Sequence, residues 1–438
     1  MNLFDSSFLC LDVGTAVVRG IAHCVRGARI VRSAVATAEC DDTPVAAIMA
    51  VVDNLEHQMA TRFTSAFVTG NFGDVVFDIT ARQTKWHGPH KIVAADVRDH
   101  ATKIGAPDGF HPMHIIPLRY DGINIRNMAT PIGQVDTALM SVFGVISYSQ
   151  SHMSHVFAAL RRAHIQTDGI FDSMFLLATA MRPKRQTIMI LDMGASYTTA
   201  SIWTPRGPVA MVKIVRGQSE IIKKISETFD IGMTDAARVR GGIPINVTDM
   251  DRFTPADALF GFSRADVADV INPVMMDILG EIRNNMAAAM AKYAPATLMI
   301  CGGGSDIDGI NDLVAQMFSM PIQNIGSDAT LRALSDTVWD MQTPRIVAYN
   351  ARRDRIAHMM RRITRIFQPG RRPNRPRGRA AGQIPILPST LAFDMRDPMT
   401  YTMFQSAGIS MIHVDIMDGF FVDRVTGSID DLCHIRAN

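Results

Sequence analysis

Two short runs carry residue types suited to holding a phosphate-bearing ligand. Ile188 to Trp203 reads IMILDMGASYTTASIW, and Phe8 to Ala22 reads FLCLDVGTAVVRGIA. Each sets an aspartate and a glycine two apart, Asp192 with Gly194 and Asp12 with Gly14, between apolar β-rich segments. Tight turns of this kind offer successive backbone N–H groups as an anion nest, and the hydroxyls of Thr15, Ser196 and Thr198 add donors. The carboxylates of Asp12 and Asp192 can hold a hydrated Mg²⁺ that offsets phosphate charge. Taken singly, either run also reads as an ordinary hairpin turn.

A third run, Thr297 to Ile310 (TLMICGGGSDIDGI), places Gly302, Gly303 and Gly304 after a strand and before a helix with apolar Ile310, Leu313, Val314 and Met317. Glycines there let a flat ring approach the backbone, although a flexible loop after a buried strand has the same composition. In this order and spacing the three runs resemble the phosphate-1, phosphate-2 and adenosine motifs of the actin, sugar-kinase and heat-shock-chaperone superfamily. The resemblance implies an α/β fold built from two ribonuclease H-like halves, with ATP and Mg²⁺ as ligands.

A chain of 438 residues, 47% hydrophobic and 20% charged, is long enough for two or more domains. The net charge of +2 sets up no global field, and no specific nucleic-acid partner is expected. Cys10, Cys24, Cys40, Cys301 and Cys433 are scattered without metal-ligand spacing, which fits free thiols in a reducing cytosol. No basic stretch followed by an apolar core marks a signal peptide, and no apolar run reaches the roughly 20 residues that span a bilayer.

The elements that must position these runs follow from periodicity. After the first hairpin, Thr43 to Met59 has helical spacing and Ser65 to Gly70 is strand-like, a strand, strand, helix, strand layer. A turn at Gly70 to Gly73 leads to a strand over Val75 to Thr80. From about His90 to Asp168 the chain reads as a small α+β module: a helix over Ile92 to Ile104, a hairpin of His114 to Tyr120 with Ile123 to Asn127 around Asp121-Gly122, a strand over Leu139 to Ser147 and a helix over Ser151 to Ala163. His152, His155 and His164 are read as surface or core residues, because no carboxylate or cysteine repeats beside them at ligand spacing. Beyond the second turn, Val209 to Val215 is a strand and Gln218 to Phe229 a helix.

The order of AFVTGNFG (Ala66 to Gly73), VAADVRDHA (Val93 to Ala101), His114 to Pro117 with Tyr120-Asp121-Gly122, and Pro131-Ile132-Gly133 resembles FtsA, the bacterial cell-division actin homologue, over about Phe8 to Ala348. The resemblance implies domain 1A at 1–88 and 166–194, an FtsA-type 1C (SHS2-like) subdomain at 89–165, and domain 2 (2A/2B) at 195–348. It implies a scaffold that binds ATP, polymerises with itself in an actin-like manner, and links FtsZ and other division proteins to anionic lipid on the cytoplasmic face of the inner membrane, at the division septum. Several positions depart from the family pattern. Ala237 and Arg240 stand where a nucleoside-touching Glu and Lys are usual, Ala195 where a Gly is usual and Ala200 where a carboxylate is usual, and Arg182 to Gln186 is basic where relatives are often acidic. With no evident group to orient an attacking water, Asp12 and Asp192 are the only catalytic candidates, and at most a slow ATPase is expected.

Ala351 to Phe367 places Ile356, Met359, Met360, Ile363, Ile366 and Phe367 on one helical face and Arg352, Arg353, Arg355, Arg361, Arg362 and Arg365 on the other. This is a basic amphipathic helix, here bounded at 349–368, that can lie in an anionic membrane interface or dock on its own protein. FtsA relatives end in such a helix. A basic linker without apolar residues follows at 369–383.

Residues 384–438 read strand, helix, strand, and Pro388-Ser389, His413-x-Asp415 and Met417-Asp418-Gly419 resemble the start of ribulose-phosphate 3-epimerase, a TIM barrel. That family's His and Asp bind a metal, so His413 and Asp415 are vestigial metal candidates. A barrel needs roughly 200 residues, so this βαβ fragment is too short for epimerase activity and is read as a fusion remnant or truncated frame. Three alternatives to the division scaffold remain: a pilus-assembly actin homologue of the same subfamily, a kinase-like phosphotransferase on the same fold, and a bifunctional protein carrying the epimerase segment.

Overall fold

The computed structural model describes residues 6–26, 29–40, 43–70, 72–181 and 186–342. The expected amphipathic helix at 349–368, the linker at 369–383 and the segment at 384–438, with His413 and Asp415, lie outside the described residues. No helix among the described residues is long and apolar enough to cross a membrane.

The first half opens with β1 (Ser6–Val13), β2 (Val17–Arg26) and β3 (Arg29–Glu39), followed by α1 (Pro44–Met59) and β4 (Ser65–Gly70). β1 is nearly continuously buried because it runs through the middle of its sheet, whereas β3 lies at an edge and exposes most of its side chains. Pro44 starts α1 where a missing N–H costs nothing, and Ala47, Ile48, Val51, Val52, Leu55 and Met59 form its buried stripe. The expected two-strand entry therefore carries a third strand, β3, whose alternate exposed positions hide it from an apolar pattern.

An inserted unit follows, with β5 (Val75–Lys91), α2 (Ala94–Thr102), β6 (Phe110–Asp121), β7 (Val135–Ser149) and α3 (Gln150–Arg162). Its antiparallel sheet runs β5-β7-β6, with β7 buried at the centre. The expected hairpin between His114 to Tyr120 and Ile123 to Asn127 is replaced by pairing of β6 with β7, leaving an isolated bridge between Tyr120 and Met128. The cause is Asp136, whose buried carboxylate accepts the backbone N–H groups of Ile123, Asn124 and Ile125 and folds that segment into a turn. β8 (Gln166–Phe171) and α4 (Ser173–Met181) return the chain to the first sheet, whose order is β3-β2-β1-β4-β8.

The second half repeats the scheme. β9 (Ile188–Met193), β10 (Thr198–Thr204) and β11 (Gly207–Ile214) lead through α5 (Gln218–Phe229), α6 (Met233–Arg240) and α7 (Arg264–Tyr293) to β12 (Thr297–Cys301), α8 (Ile310–Phe318) and β13 (Ile322–Gly326). A last helix, α9, covers 329–342. The sheet order β11-β10-β9-β12-β13 is the order of the first sheet, element for element. α7 starts at a reciprocal cap in which the Ser263 hydroxyl accepts the Asp266 N–H and the Asp266 carboxylate accepts the Ser263 N–H. Alternation on β9 assigns its faces: Met189 and Leu191 join the core under α5 to α8, while Ile188 and Ile190 join the core that α4 and α9 share with the first sheet.

A cleft between the two halves

Both turns are closed by the same bond. The Gly14 N–H donates to the Val17 carbonyl at 3.0 Å, and the Gly194 N–H to the Tyr197 carbonyl at 2.9 Å. Those closures set the hairpin registers, so Asp12 faces Arg19 and Asp192 faces Thr199. The strand beside each aspartate then ends at, or just before, a glycine with positive φ, packed against the residue that follows the aspartate. Gly70 (φ +146°) meets Val13 and Gly302 (φ +78°) meets Met193, where a Cβ would stand 2.2 Å and 2.7 Å from the respective carbonyl oxygens. At Gly302 an added Cβ would also lie 2.3 Å from Asp192 Oδ1. Only glycine allows this approach.

The three runs singled out from sequence meet at one cleft of about 380 Å³. Asp12, Gly14, Thr15, Asp192, Gly194, Gly302 and Gly303 line it. Ser196, Thr198 and Gly304 do not. Strand alternation turns Thr198 inward, where its hydroxyl donates to the Arg216 carbonyl at 2.8 Å, and puts Thr199 on the cleft face instead. Gly304 is packed against Met193.

The cleft is lined by charges of both signs. Burial pushes Asp12 up to about 6, with Arg19, 3.9 Å away, pulling the other way. Burial and then the charge of Asp12 push Asp192 up to about 6 as well. Two carboxylates withdrawn from water on one cleft wall hold their protons well above the ordinary range. Lys213 on β11 is pulled down to about 8 by burial; it donates to the Gly73 carbonyl and sits 4.5 Å from the Tyr197 ring centre. Tyr148, at the end of β7, donates to buried Asp172, whose N–H donates to His114 Nε2 at 2.9 Å.

Several of these residues escape a reading of motifs. Arg19 and Thr199 follow from arithmetic: a turn closed between 14 and 17 pairs 12 with 19, and one closed between 194 and 197 pairs 192 with 199. Lys213 does not follow so simply, because the register of β10 and β11 shifts at Ile202/Trp203. Tyr148 and Asp172 arrive from the inserted unit and from the segment after β8, and no local pattern announces them. Among the described residues no group of three His, Cys, Asp or Glu gathers to hold a metal. Cys10 and Cys301 are buried thiols.

This architecture, two like α/β halves closing on a cleft, is the actin-like ATPase fold. In sequence the chain is similar to the cell division protein FtsA of Pseudomonas aeruginosa, 19% identical over 318 residues that cover 68% of this chain and 74% of that protein. In structure it is similar to the PilM-PilN type IV pilus biogenesis complex, with a TM-score of 0.54 and 15% identity over 78% of this chain and 96% of that one, a likeness of fold. No family model matches the chain.

Proposed function

We propose that the cleft binds ATP and that the protein is a nucleotide-binding actin-like scaffold of cell division, tethered to the membrane and recruiting FtsZ. The observation that carries the nucleotide reading is the meeting of both Asp-x-Gly turns and the Gly302-Gly303 segment in one cleft. The turns offer backbone N–H groups to phosphate, and Arg19 and Lys213 bring positive charge beside them. The donor set also fits Mg²⁺ carried in with the phosphates: two carboxylates raised to about 6, both by burial and Asp192 also by the charge of Asp12, gain from a shared cation, yet number too few to ligate one alone. Bound there through water by Asp12 and Asp192, the ion would neutralise phosphate charge. Binding with slow turnover is the expected behaviour.

Similarity to FtsA supports the division role, and in this reading the inserted β5-β7-β6 unit serves as the counterpart of an FtsA-type 1C subdomain. In this reading the basic amphipathic segment at 351–367 supplies the membrane contact and the scaffold polymerises with itself. Calorimetric titration of Mg-ATP into the full chain tests the nucleotide reading: saturable heat lost in Asp192→Ala is expected, and no heat at millimolar nucleotide would sink it. In dividing cells a fluorescent fusion is expected as a midcell band, and a polar signal would favour the pilus-assembly alternative.

A further inference from the structure

We infer that Arg240 is an anion-binding residue of the cleft, holding phosphate oxygens of the ligand beside the second turn. The inference rests on the nucleotide reading of the same cleft. Arg240 closes α6 and lines the cleft together with Gln218. Its Nη2 donates to the Gln218 side-chain carbonyl at 2.6 Å, while its Nε is shielded from solvent and has no partner. Among the described residues no carboxylate stands within ion-pair distance of it.

Carboxylates are not scarce nearby. Arg238, two positions earlier, pairs with Asp235 and Asp257, and Arg216 pairs with Glu220, Asp277 and Glu281. The Arg240 guanidinium, unlike that of Arg19 across the cleft lining, is instead given a neutral amide. Taking a guanidinium out of water without a counterion is costly, and here burial draws its pKa below the ordinary arginine value. An anion entering the cleft offsets that cost. Gln218 indicates which part of a ligand would do so: its own N–H donates to the Gly194 carbonyl at 3.1 Å, which anchors the Arg240 partner to the phosphate turn. The planar fork of arginine suits phosphate oxygens, which lysine meets only as a point charge.

The test is calorimetric titration of Mg-ATP and, separately, of inorganic tripolyphosphate into wild type, Arg240→Gln and Arg240→Lys, with circular dichroism to verify folding. Arg240→Gln is expected to weaken both ligands by about tenfold or more, and Arg240→Lys to recover part of the loss. Unchanged affinity for both ligands would make Arg240 a structural cross-link to Gln218. Loss for Mg-ATP alone would place it on the base or ribose, and either result overturns the inference. If wild type takes tripolyphosphate but not Mg-ATP, the nucleotide reading fails while Arg240→Gln still decides the anion site. If wild type takes neither, both readings fall.

Discussion

The two halves agree in backbone and differ in where each keeps its cation. Across the first sheet one row runs Thr69, Asp12, Arg19, Thr37, and across the second the matching row runs Cys301, Asp192, Thr199, Lys213. Arginine and threonine on the second and third strands of one half become threonine and lysine on the corresponding strands of the other. The effect is electrostatic. Arg19 attends its own aspartate, whereas Lys213, one strand further out, reaches the Gly73 carbonyl and the Tyr148 ring in the first half. A duplicated backbone thus provides two similar turns, and side-chain divergence lets one turn stand alone while the other ties the halves together.

The comparison breaks most visibly at the paired glycines. Gly302→Ala and Gly70→Ala each force a side chain into positive φ, at about 1–2 kcal/mol, and into backbone contact, at about 1–3 kcal/mol more. Urea unfolding should show similar losses for both if the halves are structural equivalents. Only Gly302→Ala meets a carboxylate, so it should also reduce Mg-ATP binding the more, and equal binding by the two variants would contradict that asymmetry.

Titration of the aspartates separates the halves further. The folded protein keeps a proton on Asp12 and Asp192 up to about pH 6, while the unfolded chain releases it near 3.8. Their burial therefore lowers stability as pH rises from about 4 to 6, with the full cost present above that window. Without nucleotide, Asp192→Asn should be more stable than wild type at pH 8 by about 2 kcal/mol, with the difference fading towards pH 4. Asp12→Asn should gain less, since it strips Arg19 of its partner. Equal stability of Asp192→Asn and wild type at pH 8 would show that the carboxylate is better solvated than the cleft implies.

The smallest effect concerns the cations themselves. Lys213→Ala and Arg19→Ala should each weaken Mg-ATP by about tenfold, roughly 1.4 kcal/mol. Lys213→Ala alone should also loosen the contact between halves, read as faster proteolysis or amide exchange at Gly73 and Tyr148. Identical exchange in the two variants would remove the coupling role.

Much of the site is legible along the chain because it is built from turns. An aspartate two residues before a glycine, flanked by strands, already marks the hairpin, and the expected helices at Thr43 to Met59 and Gln218 to Phe229 match α1 and α5 closely. The expectations that failed lie where a distant residue overrides local pattern. Asp136 reshapes Ile123 to Asn127, a buried hydrogen bond turns Thr198 from the cleft, and edge exposure disguises β3. Asp136 is also the counterexample to Asp12 and Asp192: burial would raise its pKa, but the N–H groups of Asn124, Thr137, Ala138 and Ile123 outweigh burial and hold it below the usual range. A carboxylate surrounded by backbone donors supports structure, and one without them is left for a ligand.

By itself the sequence determined the two Asp-x-Gly turns and the glycine run after β12, since turn chemistry is local; the pairing of Asp12 with Arg19 and Asp192 with Thr199 follows once each turn is closed. Tertiary structure alone decided that the turns face one cleft, that Lys213 and Tyr148 border it, and that half-buried Arg240 stands there with no carboxylate of the described residues within ion-pair distance. Those contacts join segments far apart in the chain, and their distances follow from how two sheets pack about a common core.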